Sequence, residues 1–253
     1  MNKIMTVKQY LENPAGKGVS IYSNLNQIKQ DYANMLLNVK DDIKYRWYVI
    51  EDKFLYCHLN IPSQNTKGIY YDVVIEFDIG NNNKNLGNLL ESPIRVFSNC
   101  PSFVFTYANT FNQYGLLIPW LKDKYSKEVF KNDPTIRNPY NMISFEKSIY
   151  LSLLYLSRGR LTYGLVVPLA TQIRDYANLK LKIQSDEKVL NLYNAIKKKE
   201  KLKRDKIKSE KARQERKEVR QKSQEKKVKS SPAITSTKSI KKTSSKTKKV
   251  KRI

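Results

Sequence analysis

The fold is decided by residues 70–79, YYDVVIEFDI, which form the clearest strand pattern in the chain. Apolar and acidic residues alternate here, as they do in a strand with one apolar and one polar face. The apolar positions are Val73, Ile75, Phe77 and Ile79, and the acidic positions are Asp72, Glu76 and Asp78. The alternation predicts a strand that packs its apolar face against a core.

Short apolar runs around this stretch predict more strands. They lie at 45–50 and 53–61, on either side of Glu51-Asp52, and at 94–97 and 103–107. Strands that follow one another through short turns favour an antiparallel meander. The sequence therefore predicts an antiparallel sheet of about five strands.

Apolar residues at three- and four-residue spacing predict helices on both sides of this sheet. The predicted helices cover 6–11, 23–39, 116–125 and 145–157, with Gly159 as the C-cap of the last. A weaker pattern covers 173–183. A helix, a block of strands and then more helices indicate an α+β body.

The charge of the chain is concentrated at its C-terminal end. The whole chain has a formal net charge of +25, and residues 197–253 hold 25 Lys/Arg against 6 Asp/Glu, a net of +19. The sequence therefore divides into a folded body at 1–196 and a basic tail. Within the tail, 197–229 lacks Gly and Pro and predicts a charged, solvated helix, while 230–253 is a Ser/Thr/Lys segment that predicts disorder.

A tail of this kind is typical of proteins that contact nucleic acid. Lysine and arginine neutralise phosphates and release counterions, so the tail is predicted to bind nucleic acid without reading its sequence. The predicted contact residues are Lys197, Lys198, Lys199, Lys203, Arg204, Lys241, Lys242, Lys248, Lys249, Lys251 and Arg252. The tail has no aromatic residues for base stacking. The alternative interpretation is a solvated charge run that only aids solubility.

The acidic face of residues 70–79 is the best candidate for chemistry. Asp72, Glu76 and Asp78 offer the carboxylate oxygens with which a metal-dependent nuclease holds Mg²⁺. The Glu-x-Lys element of one large nuclease class is missing, since Glu76 is followed by Phe77-Asp78. The competing interpretation is the polar face of a half-solvated strand. We therefore predict no catalytic residue, no metal and no cofactor, and keep the nuclease as an alternative.

Histidine and cysteine add little to a catalytic interpretation. His58 is the only histidine, and its neighbour Cys57 faces the other side of a strand. The second cysteine is Cys100, and two cysteines are too few for a disulfide framework or a zinc ribbon. The first residues contain no apolar signal segment, and the longest apolar run, 116–121, is too short to span a bilayer. These features predict no membrane partner and a reducing compartment.

Several strings of the body resemble proteins encoded by tailed bacteriophages with AT-rich genomes. They are YDVVIEF at 71–77, FSNCPSFVFTY at 97–107, RNPY at 137–140 and FEKS at 145–148. The resemblance extends over about residues 6–156 and does not include the tail. It implies a non-enzymatic role in the virion or its assembly, with phage structural proteins as partners, and it carries no catalytic residues to this chain.

Together these observations predict a non-enzymatic phage structural or assembly protein whose basic tail contacts nucleic acid. The expected location is the virion or the host cytoplasm. Two alternatives remain: a metal-dependent nuclease that uses the acidic strand face, and an RNA- or ribosome-associated factor.

Overall fold

A computed structural model describes residues 4–12, 25–50, 54–79, 89–131, 138, 143, 146–161, 170–172 and 176–229. By its contacts the chain divides into two units, Met1–Lys199 and Glu200–Ile253. We call the first unit the body. Residues 230–253, for which disorder is predicted, lie outside the described ranges.

Five strands form one sheet in the described part of the body. They are β1 (Lys44–Ile50), β2 (Phe54–Pro62), β3 (Tyr70–Asp78), β4 (Ile94–Ser98) and β5 (Ala170–Gln172). The spatial order is β4-β3-β2-β1-β5. Neighbours among β1 to β4 are antiparallel, whereas β5 pairs with β1 in parallel. The predicted α+β class with a five-stranded sheet is confirmed, and the sheet is mixed because of β5.

Helices precede, interrupt and follow the strands along the chain. They are α1 (Val7–Glu12), α2 (Leu25–Val39), α3 (Pro101–Thr106), α4 (Ala108–Gln113), α5 (Lys147–Ser157), α6 (Tyr176–Lys180) and α7 (Asp186–Lys229). The helices predicted at 6–11, 23–39 and 145–157 are confirmed, and Gly159 follows α5 with a φ of 89°. The helix predicted over 197–229 is also present, but it begins earlier, at Asp186. In the described ranges no helix is both long and apolar enough to cross a membrane.

Two predicted elements are wrong, and proline contributes to both errors. Residues 103–107 were expected as a strand but belong largely to α3, where Pro101 occupies the first turn and Phe103 and Val104 are buried. No α-helix covers residues 116–125 as predicted. Leu117 instead forms an isolated β-bridge with Val96, and a 3-10 helix follows at Pro119–Lys124. Ile118 precedes this proline and is extended, which prevents an α-helix from running through it.

Both faces of the sheet are covered. Helix α5 packs on one face against β2, β3 and β4, and α1 and α2 pack against α5. On the other face Trp120 and Tyr176 lie against Tyr56, with ring centroids 5.7 and 6.0 Å away, and Tyr125 lies 4.9 Å from Phe97. The acidic side of β3 is therefore interior: Asp72 and Glu76 are each 2% exposed. The half-solvated polar face expected for this strand is wrong for these two residues.

Helix α5 begins at a buried carboxylate. The Oε2 atom of Glu146 accepts hydrogen bonds from the Ile149 backbone N–H at 2.9 Å and from the Ser148 hydroxyl at 2.6 Å. The other oxygen, Oε1, is buried without a hydrogen-bond partner. Burial raises the pKa of the Glu146 carboxyl, and the hydrogen bonds from Ser148 and Ile149 only partly oppose this effect.

This carboxyl predicts a specific dependence of stability on pH. The pKa of this carboxyl is higher in the folded chain than its ordinary value of 4.5. Its contribution to the free energy of unfolding is therefore fully present below pH 4.5 and is lost as the pH rises through the raised pKa. Glutamine stays neutral at every pH, so the Glu146→Gln variant does not lose stability at this position as the pH rises. We expect the free energy of unfolding of the variant, relative to wild type, to increase steadily from pH 4.5 to neutral pH. Urea denaturation across that range tests this, and a difference that stays constant would contradict it.

Candidate functional site

The basic helix α7 carries the predicted contact residues that the structure describes. Lys197, Lys198, Lys199, Lys203 and Arg204 lie on this helix and are exposed. Every residue from 201 to 217 is also exposed. The remaining predicted contacts, Lys241, Lys242, Lys248, Lys249, Lys251 and Arg252, lie outside the described residues. Whether any of these residues contacts nucleic acid stays a prediction.

One face of α7 within the second unit is basic and free of acidic residues. Lys206, Arg213, Arg220 and Lys227 follow one another at intervals of seven residues, so they share one side of a helix with 3.6 residues per turn. Arg216 and Lys217 fall within the same arc of about 100°. We call these six positions the basic face. Sequence reasoning missed it, although the seven-residue spacing of the cations was the signal that could have found it.

Four of the six acidic residues of this helix segment gather on the opposite side, while Asp205 and Glu210 lie just outside the two edges of the basic face. Glu200, Glu215, Glu218 and Glu225 occupy helix positions across from the basic face. Three of them stand four residues before a cation, the spacing that stabilises a helix. The opposite side thus carries most of the acidic residues and their i,i+4 pairs with cations, while the arc of the basic face itself holds no acidic residue.

The first turn of α7 is fixed to the body by hydrogen bonds. The Ser185 hydroxyl accepts from the Lys188 N–H at 3.3 Å, as an N-cap does. The carboxylate of Asp186, which is 6% exposed, accepts from the backbone N–H and the hydroxyl of Ser126 at 3.1 Å each. Lys124 also donates to the carbonyl of Ile183 at 2.9 Å.

A buried polar cluster around Asp72 lies next to this turn. Its Oδ1 accepts from His58 Nε2 at 2.8 Å and from Asn60 Nδ2 at 2.6 Å. Its Oδ2 accepts from Asn99 Nδ2 at 3.1 Å and from the Gln184 N–H at 2.9 Å. Asn99 Nδ2 also donates to the Gln184 carbonyl at 3.0 Å. We call these five residues the Asp72 cluster; it joins β2, β3, the end of β4 and the residues just before α7.

The three carboxylates of the acidic strand do not come together as a metal site. Asp72 is saturated by its four donors, and Glu76 accepts from Tyr56 at 2.5 Å and pairs with Arg95. No group of three or more His, Cys, Asp or Glu side chains among the described residues is arranged to hold a metal ion. The arrangement needed for the nuclease alternative is therefore not formed by this strand.

Burial raises the pKa of the remaining reactive groups. It raises the pKa of the Glu76 carboxyl, against the opposing effects of Tyr56 and Arg95. It raises the pKa of the Cys100 thiol to about 12 and that of Cys57 well above its usual value. A thiol with such a pKa is a poor nucleophile at neutral pH because the thiolate is the reactive form.

Comparison of the chain with protein-family models, curated proteins and solved structures finds no match.

Proposed function

We propose that the protein binds nucleic acid through the basic face of α7, without reading base sequence, and acts as a non-enzymatic structural or assembly protein. The observation that carries this proposal is the basic face itself: six cations within one arc of about 100° on α7, an arc that contains no acidic residue. The assignment of this role to a phage particle rests on the resemblance of the body to proteins of tailed bacteriophages.

The dimensions of the helix support contact with several phosphates at once. At 1.5 Å per residue, Lys206 and Lys227 stand about 32 Å apart along the helix axis, close to the ~34 Å of one turn of DNA. Lysine and arginine side chains are long enough to reach phosphates on either side of a groove. Each phosphate neutralised releases counterions, which gives an affinity that falls steeply with salt.

The composition of the helix supports binding to the backbone rather than to bases. From 197 to 229 the chain has 17 Lys/Arg and no aromatic residue or histidine. Base stacking would need aromatic rings, and base-edge recognition would need a rigid set of side chains in a groove. The predicted interaction is therefore nearly independent of sequence.

Deletion of residues 197–253 tests the proposal. The truncated chain should lose salt-dependent binding to a fluorescein-labelled duplex, because it loses a net charge of +19. Fluorescence anisotropy at several salt concentrations measures the binding, and circular dichroism checks that the body is still folded. If the folded, truncated chain bound the duplex as tightly as the whole chain, the proposal would be wrong.

The assembly role needs a separate measurement. Mass spectrometry of purified virions of the phage that encodes this chain should detect the protein at a defined copy number. Its absence from particles, together with co-purification with ribosomes or cellular RNA, would favour an RNA-associated factor instead.

A further inference from the structure

A cleft of about 640 Å³ opens beside the Asp72 cluster, on one face of the sheet where β1 begins and β2 ends. Its polar lining comes from Lys44, Arg46, His58, Lys182 and Gln184, with Asn60 and Asp72 between them. All of these residues belong to the body. The cleft is therefore independent of the basic face on α7 and of the function proposed for it.

Strand pairing brings two of the cations to this place. Arg46 of β1 is directly opposite His58 of β2, and Lys44 is directly opposite Asn60. Directly paired residues of antiparallel strands point to the same side, with Cβ atoms about 5 Å apart. Lys44 and Arg46 are exposed, and neither side chain has an ion-pair or hydrogen-bond partner among the described residues.

The third cation comes from the chain just before α7. Lys182 lies over the Tyr48 ring, 5.0 Å from its centroid, and its Nζ donates to the Tyr48 hydroxyl at 3.3 Å. This contact holds the ammonium group at the cleft. An ammonium group has three donor hydrogens, so at least two are left for another acceptor.

The histidine of the cleft is held in one orientation. An ionised Asp72 only accepts hydrogen bonds, so the contact to Nε2 places a proton on that nitrogen of His58. His58 Nδ1 has no hydrogen-bond partner among the described residues. His58 also lines the cleft and is directly paired with Arg46.

The charges of the cleft are unbalanced. Among the described residues that line it, Asp72 is the only carboxylate, and both of its oxygens are occupied by donors of the Asp72 cluster. The three cations that line the cleft repel one another unless an anion lies between them. A planar guanidinium and two ammonium groups match a compact anion with several oxygens, of which the phosphate dianion is the common biological form.

We infer that this cleft is a binding site for a phosphate group, carried by inorganic phosphate or by a phosphate monoester. Arg46 forms the bidentate contact, Lys44 and Lys182 supply charge from either side, and His58 closes the inner end. The volume accommodates a phosphate with a small substituent.

The single histidine of the chain provides a direct probe, because its imidazole signals in an NMR spectrum of the full-length protein need no assignment among several histidines. Titration with inorganic phosphate, with adenosine 5′-monophosphate and with adenosine should give saturable shifts for the first two and none for adenosine. Tighter binding of the monophosphate would identify a monoester site, and equal binding a site for phosphate alone. Absence of a saturable shift with both phosphates would overturn the inference.

Matched variants separate this site from non-specific attraction by α7. Arg46→Gln with Lys182→Gln should weaken phosphate binding about tenfold or more, since two charge-assisted contacts are removed. Lys206→Gln with Arg213→Gln removes the same charge from the basic face and should leave the titration of His58 unchanged. An equal loss of affinity in both double variants would overturn the inference. Dispersed wild-type-like spectra of each variant verify that the fold is kept.

Discussion

Replacing Asp72 with asparagine is expected to lower the free energy of unfolding by about 3 kcal/mol or more, because it leaves buried donors unpaired. Asp72 is 2% exposed, and its two oxygens accept four hydrogen bonds. Asparagine has nearly the same shape, but one of the oxygens becomes an NH₂ group. That group then faces two donors, either His58 and Asn60 or Asn99 and the Gln184 N–H.

Urea denaturation of the full chain, followed by circular dichroism, measures this effect. The matched control is Asp41→Asn, which makes the same chemical change at an exposed position without a hydrogen bond or ion pair among the described residues. The control is expected to stay within about 0.5 kcal/mol of wild type. Similar stabilities for the two variants would mean that the Asp72 cluster does not hold the body together.

The sheet was predictable where neighbouring residues alone determine structure. The alternation in residues 70–79 predicted β3, and the flanking apolar runs predicted β1, β2 and β4 close to their observed bounds. The spacing of Leu25, Ile28 and Tyr32 predicted α2 in the same way. These patterns reflect the periods of about 2 residues in a strand and about 3.6 residues in a helix, which a short segment shows without any tertiary contact.

Tertiary context decided what the sequence alone could not. Strand β5 has only three residues and exists because it pairs with Trp47 to Val49 of β1. The burial of Asp72 depends on partners as distant in sequence as Gln184. A carboxylate surrounded by apolar residues suggests a solvated strand face, and only the covering layer around Trp120, Tyr125 and Tyr176 makes that face interior.

The candidate sites likewise divide into features that local sequence predicts and features that depend on the folded structure. Composition alone predicted the basic tail, since excess charge in one segment needs no folded context. The basic face requires that the helix continue without a break through Lys227, so that residues seven apart share a side. The phosphate cleft requires the pairing of β1 with β2 and the return of Lys182 to Tyr48. No local pattern contains those contacts.

Removing four cations of the basic face is expected to change the salt dependence of duplex binding more than any other substitution in the chain. In the variant, Lys206, Arg213, Arg220 and Lys227 are all replaced by glutamine. If each contacts one phosphate, the slope of log affinity against log salt becomes shallower by about 3.6. Glutamine has nearly the helix propensity of lysine and arginine, so the helix itself should persist. Anisotropy titrations at four or more salt concentrations give the slope.

The control removes the same charge from the other side of the same helix. Arg204, Lys208, Lys211 and Lys222 lie opposite the basic face and are replaced by glutamine together. If α7 binds through its basic face, this variant keeps a slope close to that of wild type, because its cations lie among the glutamates and away from the duplex. Equal changes in the two variants would show that net charge alone governs binding. An unchanged slope in both would place the nucleic-acid contacts outside the helix.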